Sequence, residues 1–91
     1  MTKVPPEIAN LNKASSDSEV VAAIHSVLKN CDQIVGVSRY RAMEAKQYRN
    51  FLIDVSDFVT VRKVIDLLGG QSEKCRSYGT NSVLLKIYNE P

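Results

Sequence analysis

The chain contains a single histidine, His25, and two cysteines, Cys31 and Cys75. No CxxC or HxxxH spacing joins them, so neither a structural zinc site nor any other metal or cofactor is expected. One histidine leaves little scope for Ser/His/Asp or Cys/His catalysis, and GxSxG, HExxH and P-loop motifs are all missing. Cys31 follows the end of a predicted helix, where the negative end of the dipole disfavours a thiolate. No apolar run approaches the ~20 residues needed to span a membrane. Residues 1–13 lack the apolar stretch of a secretory signal. The expectation is an intracellular, non-enzymatic chain with free thiols. Neither sign of charge dominates: 12 Lys and Arg stand against 10 Asp and Glu, a formal net charge of +2. That balance permits a polyanionic partner without requiring one.

What is present fits one small globular domain. The chain has 91 residues, 44% of them hydrophobic and 24% charged, which excludes a fully disordered polymer. Folding at this size hides only about 60–65% of the unfolded surface, enough for a modest core and too little for a deep cleft. Residues 1–6, with paired prolines, read as a flexible tail, and residues 7–91 as the domain. Ile8 to Leu11 suggests a short strand. Ser16 with Glu19 forms a capping box, and Val20, Val21, Ile24, Val27 and Leu28 make one stripe, so a helix is expected over 17–29 with His25 on its surface. Gln33–Val37 reads as a buried strand.

The middle of the chain admits two readings. From Ala45, the apolar residues Tyr48, Phe51, Leu52, Val55, Phe58 and Val59 recur at helical intervals, with Asp54 and Asp57 on the polar face, and a helix over about 42–58 is preferred. The alternation of Phe51, Ile53 and Val55 supports a strand instead. Residues 59–68 read as a strand or a short helix. Ser72–Tyr78 and Ser82–Tyr88 flank Gly79-Thr80-Asn81 and predict a β-hairpin. Phe58 is read as a core residue, with a dimer contact as the alternative.

The basic residues are the only candidates for a site. Arg39-Tyr40-Arg41 follows a strand, with Lys46 shortly after. Guanidinium groups bind phosphate oxygens bidentately, and a tyrosine ring stacks on an unpaired base. Lys74 and Arg76 are placed near the hairpin tip.

The stretch Val20-Val21-Ala22-Ala23-Ile24, then Ile34-Val35, then Arg39-Tyr40-Arg41-Ala42-Met43 resembles the Alba family of small nucleic-acid-binding proteins. Lys13 falls where that family has a lysine after its first strand. Tyr40 departs from the glycine usual between the two arginines, and Ala14 replaces a second lysine. The resemblance implies an α+β two-layer sandwich in βαβαββ order: a four-stranded mixed sheet, two helices and a C-terminal hairpin. The alternative is a ferredoxin-like αββαββ arrangement. It also implies a homodimer, or a heterodimer with a related subunit, that grips RNA or DNA backbone with little sequence specificity. Lys13, Arg39, Tyr40, Arg41, Lys46, Lys74 and Arg76 would form the contact surface. The rival function is a protein-interaction module without nucleic acid.

Overall fold

A computed structural model describes residues 4–89. Three helices and four strands follow one another: α1 (Pro6–Ala9), α2 (Asp17–Val27), β1 (Ile34–Arg39), β2 (Tyr48–Val55), α3 (Phe58–Leu67), β3 (Cys75–Tyr78) and β4 (Ser82–Tyr88). The strands form one sheet in the order β1-β2-β4-β3, antiparallel at every pairing. The chain is therefore α+β, and after α1 its element order is αββαββ.

Several expectations are corrected. The strand expected over Ile8–Leu11 is a helical turn, α1, because Pro6 occupies the first helical position, where its fixed φ favours entry and its missing N–H costs nothing. Pro6 thus belongs to α1 and not to a tail over residues 1–6; residues 1–3 of that proposed tail lie outside the described residues. The helix over 42–58 is replaced by the strand β2, and of the two readings of 59–68 the helix holds, as α3, against the strand that the βαβαββ order of the resemblance would require. The helical spacing joined residues of three elements: Ala45 precedes β2, and Phe58 and Val59 open α3. Within β2 the alternation decides, since Phe51, Ile53 and Val55 are all buried in the core. The expected mixed sheet is accordingly antiparallel.

The boundary between β2 and α3 is a helix cap. The Asp57 carboxylate accepts the Thr60 N–H at 2.8 Å and the Thr60 hydroxyl at 2.8 Å. Asp54 and Asp57 therefore share no helix face; one lies on β2 and the other caps α3. Val61, Val64, Ile65 and Leu68 then fall at i, i+3, i+4 and i+7, and all are buried. At the other helix, the Ser16–Glu19 capping box forms as expected. The hairpin is also present, turning through Gly79 at φ +68°.

All three helices stand on one side of the sheet. Phe51, Ile53, Val55, Val83, Leu85 and Ile87 meet Val20 and Ile24 of α2 and Val61, Val64 and Ile65 of α3 in one apolar cluster. A bulge between Ile34 and Gly36 turns Val35 outward, leaving it 70% exposed, while Ile34 and Val37 both pack on the core. Cys31 and Cys75 are free, buried thiols, and burial pushes Cys75 up to about 11, so it stays protonated and unreactive at neutral pH.

Phe51 is fully buried, whereas Phe58, read from sequence as core, is 71% exposed at the start of α3. Phe51→Ala is expected to cost about 3–5 kcal/mol, and Phe58→Ala less than about 0.5 kcal/mol. Urea denaturation of the two variants measures the difference.

Candidate nucleic-acid interface

Strand alternation sorts the remaining sheet residues onto the face that carries no helix. Register places Tyr48 beside Tyr88, Asn50 beside Lys86, Leu52 beside Leu84 and Asp54 beside Ser82. From the flanking strands, Ser38 joins the row of Leu52, Arg76 the row of Leu84, and Tyr78 the row of Ser82. Tyr40 donates its N–H to the Asn50 carbonyl at 2.9 Å, and the Lys86 N–H reaches the Lys74 carbonyl at 2.7 Å, so both join the row of Asn50. The chain has four tyrosines, and all of them stand on this face.

The tyrosines form two pairs. Tyr48 and Tyr88 are neighbours at one end, with ring centroids 5.5 Å apart. The Lys86 ammonium lies 4.5 Å from the Tyr48 ring centre and the Lys74 ammonium 5.3 Å from that of Tyr88. Tyr40 and Tyr78 start from opposite edges of the sheet and meet across it. Their hydroxyls are 2.7 Å apart and their ring centroids 5.3 Å apart. This hydrogen bond holds the Tyr40 phenol above its ordinary pKa. Beneath them Leu84 is only 1% exposed although it faces away from the helices. Asn50 is fully buried on the same face, and neither its side-chain oxygen nor its nitrogen has a hydrogen-bond partner among the described residues. A buried polar group left in that state costs about 1–3 kcal/mol.

Arg39 does not belong to this surface. Its Nη1 donates to both Asp17 oxygens at 3.1 and 2.9 Å, its Nη2 to Glu44 Oε1 at 2.7 Å, and its Nε to Glu44 Oε2. Arg49 adds a bond from Nη1 to Asp17 at 2.8 Å and one from Nη2 to the Asn12 carbonyl at 3.0 Å. Glu44 also accepts the Asn50 N–H at 3.1 Å, where the ladder between β1 and β2 ends. These charges stitch the first turn of α2 to the sheet, and they neutralise Arg39.

The other sequence candidates divide. Tyr40, Lys74 and Arg76 come together on the open face. Arg41 and Lys46 are exposed in the loop between β1 and β2, at the end of the sheet that carries Tyr48 and Tyr88; the Lys46 carbonyl is tied to the Asn89 side chain beside Tyr88. Lys13 is exposed in the loop between α1 and α2, next to the carbonyl that Arg49 holds, and so sits on the helix side. Lys74 and Arg76 are at the base and middle of the hairpin, not at its tip, which is Gly79–Asn81. Tyr48, Tyr78, Tyr88, Lys86 and Asn50 were not singled out from sequence. Their shared parity along β2, β3 and β4 becomes visible only once β2 is known to be a strand.

Among the described residues no group of three or more His, Cys, Asp or Glu side chains converges on a metal position, and no helix is long and apolar enough to cross a membrane. Comparison with family models, with curated proteins and with solved structures finds no match.

The ion network makes a pH prediction. Arg39 holds the carboxyls of Asp17 and Glu44 below their ordinary range. The folded state thus binds protons less readily than the unfolded chain. The resulting stability is present above the ordinary carboxylate values and is lost as pH falls through the depressed ones. Wild type should therefore lose stability as pH drops below the ordinary glutamate value of 4.5. Arg39→Leu should show a shallower acid slope, read as thermal midpoint against pH.

Proposed function

We infer that the chain is a non-enzymatic binding protein for single-stranded nucleic acid, RNA or unpaired DNA, and that the helix-free face of the sheet is the contact surface. The observation that carries this reading is the gathering of every tyrosine of the chain on one face with Lys74, Arg76 and Lys86. Aromatic rings offer stacking surfaces to any unpaired base, at about 1–3 kcal/mol per base. The interleaved cations neutralise the backbone phosphates that run beside the bases. A flat, half-open sheet suits a splayed single strand better than a duplex, whose bases are already stacked and whose grooves call for a protruding element.

This reading keeps the partner class that the Alba resemblance implies and moves the contact surface. Arg39 leaves the contact set because its guanidinium is satisfied by two carboxylates. Arg41 and Lys46 extend the surface at the end occupied by Tyr48 and Tyr88. A protein-interaction role is favoured by a different observation: Phe58 and Val59 are 71% and 68% exposed, side by side on α3 and away from the open sheet face. Pairing through α3 with a second copy, or with a related subunit, would leave the tyrosine face accessible.

Binding of fluorescein-labelled single-stranded RNA, single-stranded DNA and duplex DNA, measured by anisotropy at several salt concentrations, tests the reading. Four backbone contacts give a log–log salt slope of about −3 for single strands. Tyr88→Ala and the double variant Lys74→Ala/Lys86→Ala should each weaken single-strand binding by about tenfold or more. Arg39→Ala should not weaken it beyond its effect on folding. Absence of single-strand binding at low salt overturns the proposal. A light-scattering mass that falls from dimer to monomer in Phe58→Asp would establish the α3 contact separately.

A further inference from the structure

We propose that Asn50 is a base-reading residue and that Tyr40 and Tyr78 form a closed clamp over the position where a base, adenine above all, would enter. This rests on the reading of the open face as a single-strand platform and adds to it a site with a defined ligand edge. Asn50 lies in the interior strand β2, flanked on its own face by Tyr40, just past the end of β1, and by Lys86 of β4, with Tyr48 and Leu52 before and after it. The Asn50 side chain is fully buried there. Both its oxygen and its nitrogen nevertheless lack partners among the described residues, whereas Asp54 on the same face takes the Ser82 hydroxyl at 2.6 Å and Tyr88 reaches Glu73 at 2.8 Å. A neutral amide presents an acceptor beside a donor. Its complement is a donor beside an acceptor in one plane, which a nucleobase edge supplies. Adenine carries such a pair on both its Watson–Crick and its Hoogsteen edge, the latter being the bidentate partner of asparagine in grooves.

The clamp provides the stacking walls. Tyr40 and Tyr78 are tilted by 59° and held by one hydroxyl–hydroxyl bond, with Tyr78 also donating weakly to Met43 Sδ at 3.7 Å. A base sandwiched between two rings requires about 7 Å between them, twice the ~3.5 Å carbon contact distance. The rings therefore need to part by about 2 Å from their present 5.3 Å and to turn out of their 59° tilt. Met43 is 47% exposed and the loop that carries it is open to solvent, so nothing in the core resists that movement. The tyrosine bridge closes the face when it is empty, and the base takes over both the stacking and the amide pairing.

Anisotropy titrations of eight-nucleotide oligo-A, oligo-U and oligo-C RNA test this at low salt. Wild type is expected to bind oligo-A on the order of tenfold more tightly than the others. Asn50→Leu should bring oligo-A down to the level of oligo-U and oligo-C while its thermal midpoint stays at or above that of wild type. Tyr78→Phe keeps the ring and removes the bridge, and should tighten binding to all three oligomers severalfold, because less of the protein is held in the closed form. If wild type binds none of the oligomers, both this inference and the platform reading fall. If it binds them but Asn50→Leu leaves the base preference unchanged, or wild type has no preference, only the inference falls.

Discussion

The structure depends on β2 being covered on both faces. It runs through the interior of the sheet, bonded to β1 on one side and β4 on the other. Its odd-numbered residues Phe51, Ile53 and Val55 supply the floor of the helix-side core. Its even-numbered residues Tyr48, Asn50 and Leu52 form the floor of the opposite face. A one-residue slip of this strand would exchange the two sets, burying an asparagine and a tyrosine among apolar helices and exposing a phenylalanine. The register is therefore strongly specified by the apolar set, and the tyrosine face follows from it. A domain of this length has a small interior, and the helix-free side of the sheet is the surface where its tyrosine rings are concentrated.

The disposition of charge separates structural from available cations. Arg39 and Arg49 both point to the helix side of the sheet and meet Asp17 there, where the carboxylate also faces the positive end of the α2 dipole. With Glu44 the set ties α2, β1, β2 and the loop between the strands, giving the short helix a fixed position over a small core. The side-chain exposures, 22% for Arg39, 16% for Glu44 and 41% for Asp17, mark an arrangement only partly withdrawn from water. Its Coulomb energy is correspondingly screened, and its main contribution is geometric. Lys74 and Lys86 differ in kind. Their ammoniums rest over tyrosine rings and take part in none of the ion pairs among the described residues.

Much of this was legible in the sequence, and the failures have physical causes. The first long helix was readable because its cap, capping box and apolar stripe agree, and the hairpin because Gly79 offers the positive φ its turn requires. The stretch from Ala45 to Leu68 misled because apolar spacing was counted across an unrecognised boundary. The local signal lay at Ser56-Asp57, where an aspartate three residues before Thr60 marks a helix start. Counting from there, Val61, Val64, Ile65 and Leu68 form the helical stripe, and Val59 and Leu67 fall on the exposed side. The candidate site was half visible for the same reason. Tyr40 could be named from its own neighbours, but Tyr48, Tyr78 and Tyr88 gain a common meaning only through strand parity. Arg39 could not be excluded from sequence, because its partners Asp17 and Glu44 are brought to it by the packing of α2.

The buried Asn50 amide bears on how stability and binding are balanced here. A core that needed only to be stable would place leucine or valine at that position, between apolar Leu52 and the aliphatic stem of Lys86. An asparagine with both polar atoms unpaired lowers the stability of a domain whose whole margin is on the order of 5–15 kcal/mol. It also sits where the backbone ladder is already disturbed, since its N–H bonds to the Glu44 carboxylate in place of a β1 carbonyl. The unpaired amide and the interrupted ladder thus coincide beside Tyr40, whose ring reaches across the face to Tyr78. In the reading proposed above, rings held by a single hydroxyl bond near an amide that has no partner among the described residues give a surface more favourable with a base inserted than empty. A packed apolar face would have no such preference, and a fully hydrogen-bonded one would resist insertion.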